Sequence, residues 1–153
     1  MVSTVLAVLG VLIACFIAAA LFFQSKSNAY RKTTEATQNI GAIYRGAVAY
    51  FEAHGRFPDS VGPTPALRSI GEEARRDPAG TWDHPSWKGL GFAFDEPHRY
   101  AYTFAATTGG FTASAHGDLD GDGEYSTFER AGSVNAKGEV FGASGIYIDN
   151  ERE

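Results

Sequence analysis

The first part of the chain is apolar without interruption. Residues 2–23 contain no charged residue and no proline, and their only glycine is Gly10. About 20 consecutive apolar residues are enough for a helix to cross a bilayer. The pattern therefore predicts a helix over this stretch that is surrounded by lipid or by other copies of itself.

The helical pattern continues beyond the apolar stretch. Residues 24–51 contain no proline, and apolar residues recur at helical spacing, as at Ala36, Ile40, Ala47 and Phe51. This spacing gives a helix one apolar face, which packs against a globular domain. The sequence predicts one long helix, with an apolar transmembrane or filament-core half over 1–25 and an amphipathic half over 26–54.

A small globular head is predicted after this helix. Gly55 suits a left-handed helix cap and Pro58 cannot continue a helix, so the helix is predicted to end near His54. Residues 98–105 and 111–116 alternate apolar and polar positions around a glycine turn, which predicts a β-hairpin. The other predicted elements are a loop over 58–65, a short helix over 65–76, an irregular segment over 77–91, and strands over 126–134, 139–141 and 145–148. Residues 55–153 are thus predicted to form an α+β head with a small antiparallel sheet.

Charge is distributed unevenly along the chain. The net charge is −5, and residues 118–153 contain nine acidic and three basic residues. Phosphate binding requires Lys and Arg, so this composition argues against a nucleic-acid partner and favours a cation. The only cysteine is Cys15, so the chain cannot form an internal disulfide.

The sharpest local motif is the acidic stretch from Asp118 to Glu129. It has the spacing D-x-D-x-D-G-x5-E of a twelve-residue calcium loop. Calcium takes six to eight oxygen ligands, and alternate positions of such a loop supply them. The ligands that the motif predicts are Asp118, Asp120, Asp122, the backbone carbonyl of Glu124, Ser126 through a water molecule, and Glu129.

Two features limit this interpretation of the acidic stretch. The same residues would also form an acidic turn between strands with no cation bound. The residues before Asp118 are predicted as strand, whereas a sensor of the EF-hand type has a helix there. The sequence therefore predicts a structural calcium loop that fastens the hairpin to the C-terminal strands.

No catalytic motif is present, and the chain is predicted not to be an enzyme. The four histidines are not paired at metal-ligand spacing, and no nucleophile or phosphate-binding motif is found. Trp82 and Trp87 have two interpretations. They form either an aromatic lid over the core or a surface patch that binds sugar or a neighbouring subunit.

Nearly the whole chain resembles the type IV pilins and the type II secretion pseudopilins, with similarity to pilin-like proteins of the myxobacterial type. The apolar segment followed by an amphipathic helix and a small sheet carries the resemblance. The matching stretches are residues 22–27, 34–36, 47–52, 82–94, 100–104, 117–123 and 126–130.

The resemblance implies a fold and a function. The fold is a pilin fold, with one long N-terminal helix packed on a small antiparallel sheet. The function is that of a structural subunit in an extracellular pilus-like or pseudopilus filament for adhesion, motility or secretion. The implied partners are copies of itself, the inner membrane before assembly and the pilus assembly machinery, and the implied location is the cell surface.

The chain departs from the family at two positions. Alignment with ordinary pilins makes Met1 the first mature residue, and members of the family are made with a basic leader that is removed. Val5 then stands where the family has a glutamate, and Phe22 stands near its usual proline. The structural subunit is the leading interpretation. The alternative is a single-pass membrane-anchored calcium-dependent binding domain that does not assemble, with carbohydrate as one candidate ligand through Trp82 and Trp87.

Overall fold

The computed structural model describes the backbone of residues 2–142 and 145–151, and the side chains of residues 13–20, 33–142 and 145–151. The chain forms two compact units, Met1–Lys32 and Thr33–Glu153. The predicted division into three segments, 1–25, 26–54 and 55–153, stays a prediction.

The described residues form helical structure at three places. Helix α1 covers Val2–His54, helix α2 covers Pro85–Leu90, and a single 3-10 turn covers Leu67–Ser69. Gly55 ends α1 with a φ of 67°, and its N–H donates to the Phe51 carbonyl at 2.8 Å. The predicted end of the helix at His54 is confirmed.

The second unit is built on a six-stranded sheet whose described pairings are all antiparallel. The strand order is β1-β2-β3-β4-β5, and β6 also pairs with β4. The strands are β1 (Val61–Thr64), β2 (Tyr100–Thr107), β3 (Gly110–Gly117), β4 (Ser126–Val134), β5 (Val140–Gly142) and β6 (Tyr147–Asp149).

Several strand predictions are confirmed, and three local predictions are wrong. The segment predicted as irregular over 77–91 contains helix α2. The β2–β3 hairpin forms, and β4 has the predicted bounds of residues 126–134. The loop predicted over 58–65 contains β1, because an edge strand tolerates the prolines there. The helix predicted over 65–76 is reduced to one 3-10 turn, and Arg75 instead pairs with His98 as an isolated β-bridge.

The core lies between the inner face of the sheet and the part of α1 that belongs to the second unit. From α1, the buried apolar residues are Ala36, Ile40, Ile43 and Ala47. The sheet and its connections supply the rest, including Phe57, Trp82, Trp87, Leu90, Phe92, Tyr100, Tyr102, Phe104, Phe111, Ala113, Ala115, Leu119 and Phe128. Burying this aromatic surface is the main stabilising contribution to the unit.

The predicted pilin fold is wrong. The second unit is dominated by a six-stranded antiparallel sheet, which together with its connections supplies most of the buried core, and α1 supplies one narrow stripe of it. Among the residues that the structure describes, no helix is long and apolar enough to span a membrane, so the predicted transmembrane helix is also corrected. The flanking parts of the predicted span, at 1–12 and 21–32, lie outside the described side chains.

Candidate metal centre

The acidic loop connects the neighbouring antiparallel strands β3 and β4. Strand β3 ends at Gly117, and β4 begins at Ser126. Gly117 is required here because a Cβ at this position would come within 2.6 Å of the Tyr100 ring. The loop therefore leaves the sheet from a fixed point, directly over a buried aromatic side chain.

Backbone N–H groups of the loop hold its aspartates in place. The N–H of Gly121 donates to Asp118 Oδ1 at 2.8 Å, and the N–H of Glu124 donates to Asp122 Oδ1 at 2.8 Å. The loop turns sharply at Gly121 and Gly123, whose φ values of 81° and 92° favour glycine. These Asx-type bonds direct the carboxylates toward the inside of the loop.

Three of the predicted ligands are brought together. Asp118, Asp120 and Asp122 each offer a carboxylate oxygen, and these oxygens lie within 4.8 Å of one another. Asp118 is buried, whereas Asp120 and Asp122 are exposed. Three carboxylates this close repel one another, and a bound cation removes that repulsion. The cluster can hold a metal ion.

The other three predicted ligands are placed differently. Ser126 is fully buried, and its hydroxyl donates to the Gly117 carbonyl at 3.0 Å. Glu129 lies on β4 and accepts a hydrogen bond from Ser114 Oγ at 3.1 Å. The side chain of Glu124 is exposed. The cluster thus gathers the three aspartates, and the roles of the remaining residues stay predictions.

A row of polar side chains beside the loop was not predicted from the sequence. His116 Nδ1 lies 3.1 Å from Thr127 Oγ1 on the neighbouring strand. Burial lowers the pKa of His116, and the charge of Glu129 partly opposes this effect. The β3–β4 register brings these side chains together, because it pairs His116 with Thr127 and Ser114 with Glu129. Strand register cannot be read from hydrophobic alternation alone.

A buried phenol lies under the loop. Tyr100 Oη has no hydrogen-bond partner among the described residues. Burial, followed by the charge of Glu35, raises the pKa of Tyr100 well above its usual value. The phenol therefore stays neutral at physiological pH.

The two tryptophans lie in the core and do not form a surface patch. Trp87 is fully buried, and Trp82 is 7 % exposed. Their indole N–H groups donate to Thr64 Oγ1 at 3.0 Å and to Asp77 Oδ2 at 2.7 Å. The prediction of an aromatic lid is confirmed, and the two rings offer little face for stacking on a sugar.

Comparison of the chain with protein-family models, with curated proteins and with solved structures finds no match.

Proposed function

We propose that the protein is a structural, non-catalytic subunit whose head is stabilised by calcium. The observation that carries this proposal is the set of three aspartate oxygens within 4.8 Å of one another between β3 and β4. An ion bound there would fasten the end of the central hairpin. A small domain without a disulfide gains stability from such a metal.

The chemistry of the ligands favours calcium over other ions. The cluster offers only carboxylate oxygens, which are hard ligands, and no sulfur or imidazole. Magnesium requires near-ideal octahedral geometry and gives up water reluctantly, whereas calcium accepts irregular sets of oxygen ligands. Two exposed aspartates also allow water to complete the coordination.

We also propose an extracellular location, on the basis of the expected calcium affinity. Calcium modules with few charged ligands bind with dissociation constants of about 10⁻⁴–10⁻³ M, which suits the outside of cells. A loop with three aspartates and no clustered fourth carboxylate belongs to this weak class. The calcium site would then be filled after export and would hold the head in its stable form.

A second observation favours assembly with copies of the same chain. All eight residues from 13 to 20 are exposed in the described structure. Ile13, Phe16 and Ile17 are 54 %, 79 % and 54 % exposed, respectively. Exposed apolar surface of this kind is stabilised by burial against similar surface. We therefore propose that this stretch bundles with its counterparts in a filament.

Thermal unfolding of the full chain tests the calcium proposal. At a calcium concentration about 100-fold above the dissociation constant, binding adds about 2.7 kcal/mol to the free energy of unfolding. The melting temperature should rise by several degrees with calcium and fall with EDTA, whereas magnesium should have a smaller effect. The Asp120→Asn variant should lose the rise. Asp59→Asn, an exposed aspartate outside the cluster, is the control and should keep it.

Electron microscopy and sedimentation of the full chain test the assembly proposal. Wild type should form elongated multimers, and Phe16→Ser should reduce them, because it removes the most exposed of these apolar side chains. Cys15→Ser, on the same exposed stretch, is the control and should assemble like wild type. A wild-type chain that remains a single particle would contradict assembly and leave the calcium proposal to its own test.

A further inference from the structure

Two arginine side chains converge between helix α1 and strand β4. The point of convergence is the position that a Cβ on Gly41 of α1 would take. Nη1 of Arg45 lies 3.5 Å from this point, and Nη1 of Arg130 lies 3.8 Å from it. Arg45 follows one turn later on α1, whereas Arg130 belongs to β4. Two positive charges are therefore held close together within the second unit.

No acidic group of the described residues neutralises either arginine. Within that part of the chain, neither guanidinium group donates a hydrogen bond or forms an ion pair within 4.0 Å. The positions three and four residues from Arg45 on α1 hold only glycine, alanine and valine, so no helical neighbour pairs with it. On β4, Arg130 is paired with Ala113 of β3, and the adjacent Glu129 lies on the opposite face of the sheet. The local positive charge is thus left unbalanced.

Arg130 packs on an aromatic ring whose position depends on two glycines. Its guanidinium carbon lies 4.1 Å from the centroid of the Tyr44 ring. Gly132 of β4 and Gly142 of β5 are paired in the sheet. They leave room for this ring, because a Cβ on either glycine would come within 3.1 Å of a Tyr44 ring carbon. A ring face attracts the cation but offers no oxygen acceptor to its N–H groups. The N–H donors of Arg130 are therefore positioned, and they have no acceptor among the described residues.

We propose that Arg45 and Arg130 together bind a small oxyanion of the sulfate or phosphate type. Arginine presents its N–H donors as a planar fork that matches the oxygens of such anions. Charge-assisted hydrogen bonds of this kind are about 2.7–2.9 Å long, so one ion with several oxygens can contact both side chains at the point of convergence. Two positive charges favour a doubly charged ion over chloride or a carboxylate.

The exposure of the two side chains allows an ion to enter. Arg130 is half-buried, and Arg45 is exposed. The anion would bind against the stacked Arg130 and would be covered by Arg45 from the solvent side. The site shares no residue with the aspartate cluster between β3 and β4, and it therefore does not depend on the calcium proposal.

A packing role alone explains the position of Arg130 but not that of Arg45. Stacking on Tyr44 stabilises Arg130 without any ligand. Arg45 adds a second charge of the same sign, and like charges repel. Its exposed side chain forms no hydrogen bond or ion pair with a described residue that would offset this repulsion. A bound anion replaces the repulsion with attraction to a shared partner.

Equilibrium dialysis of the full chain against radiolabelled sulfate measures this binding directly. The buffer contains no calcium, and sodium chloride keeps the ionic strength constant as the sulfate concentration is raised. Wild type should bind one sulfate ion per chain saturably, and inorganic phosphate should compete for it. Absence of saturable sulfate binding, or failure of phosphate to compete, overturns the proposal.

The Arg45→Gln variant removes one of the two charges from an exposed position of α1. Its sulfate affinity should fall about tenfold or more, as expected for the loss of charge-assisted hydrogen bonds. Arg68→Gln, at an exposed arginine of the 3-10 turn, makes the same change in net charge and should bind sulfate like wild type. An equal loss in both variants would mean attraction by net charge only and overturns the site, as does an unchanged affinity in Arg45→Gln.

Thermal unfolding separates the site from the general effect of sulfate on proteins. Sulfate stabilises folded proteins because it is excluded from their surface, and this part of the effect should be the same in every variant. Wild type and Arg68→Gln should show an additional rise in melting temperature. This rise should be absent in Arg45→Gln and reduced in Arg130→Lys, which keeps the charge but loses the planar fork. Equal rises in all of these proteins overturn the proposal.

Discussion

Ser114 Oγ donates a hydrogen bond of 3.1 Å to Glu129 Oε1 across strands β3 and β4. The two residues are directly paired in the sheet register. Glu129 occupies the last position of the calcium motif, so this bond competes with any role as a metal ligand. The Glu129 carboxylate is hydrogen-bonded within the sheet, whereas Asp118 and Asp122 accept hydrogen bonds from N–H groups of the loop.

This pairing predicts unequal effects of two isosteric substitutions on calcium binding. Asp120→Asn should weaken calcium affinity by at least the roughly tenfold that the loss of an outer-shell partner costs. Glu129→Gln keeps an acceptor for Ser114 and should weaken affinity less. Calcium titration by calorimetry on both variants makes the comparison. A larger loss in Glu129→Gln would mean that Glu129 leaves Ser114 and coordinates the ion.

Helix α1 approaches α2 closely at Gly46. A Cβ at this position would overlap the Leu90 carbonyl oxygen and lie 2.9 Å from its carbonyl carbon. Because these are backbone atoms, Gly46→Ala should lower the free energy of unfolding by about 1–3 kcal/mol, measured by denaturant unfolding.

Gly41 on the same helix provides the control. The nearest atom to a Cβ there is the flexible end of Arg45, at 3.5 Å. Gly41→Ala should therefore raise the free energy of unfolding by up to about 1 kcal/mol, the gain in helix propensity. If both substitutions had the same effect, α1 would not pack against α2 in the way described.

The burial of Tyr102 should make the folded protein less stable at alkaline pH. Burial, followed by the charge of Glu35, raises the pKa of Tyr102 well above its usual value, while the hydrogen bond from Asn39 acts in the opposite direction. In the unfolded chain a phenol ionises near pH 10. Because the unfolded state releases the phenol proton at a lower pH than the folded state, the contribution of Tyr102 to the free energy of unfolding is complete below about pH 10. This contribution is lost as the pH rises further.

The Tyr102→Phe variant isolates this contribution. It loses the 2.8 Å hydrogen bond from Asn39 Nδ2, which should cost about 1 kcal/mol at neutral pH. Its unfolding free energy should then fall less steeply than that of wild type above about pH 10. Denaturant unfolding across this range measures both slopes, and parallel slopes would show that Tyr102 ionises equally in both states.

The sequence predicts the local elements of the sheet well where alternation is strong. Strand β4 and the β2–β3 hairpin follow from alternating aromatic and small residues, and the aspartate cluster follows from its spacing. Strand β1 was missed because Pro63 and Pro65 resemble a loop, and only its pairing with β2 makes the segment extended. Edge strands are defined by their partners more than by their own residues.

The overall fold depends on contacts between residues far apart in sequence. The uniform apolar stretch at the start of the chain does not indicate how many buried residues the sheet and its connections contribute to the core. The predicted long-helix pilin fold was wrong for this reason. His98 and Asp77 are 21 positions apart, and no local pattern predicts that their side chains are in contact. Glu129 has the right spacing for a calcium loop, but β4 begins at Ser126 and carries it onto the sheet.

Calorimetric titration of the full chain with calcium tests the central claim most directly. The account predicts saturable binding of one ion per chain, because one cluster of three aspartates is found among the described residues. Asp120→Asn and Asp122→Asn together should abolish this binding, while Asp59→Asn should retain it. Absence of saturable calcium binding to the wild-type chain, or unchanged binding in the double variant, would contradict the account.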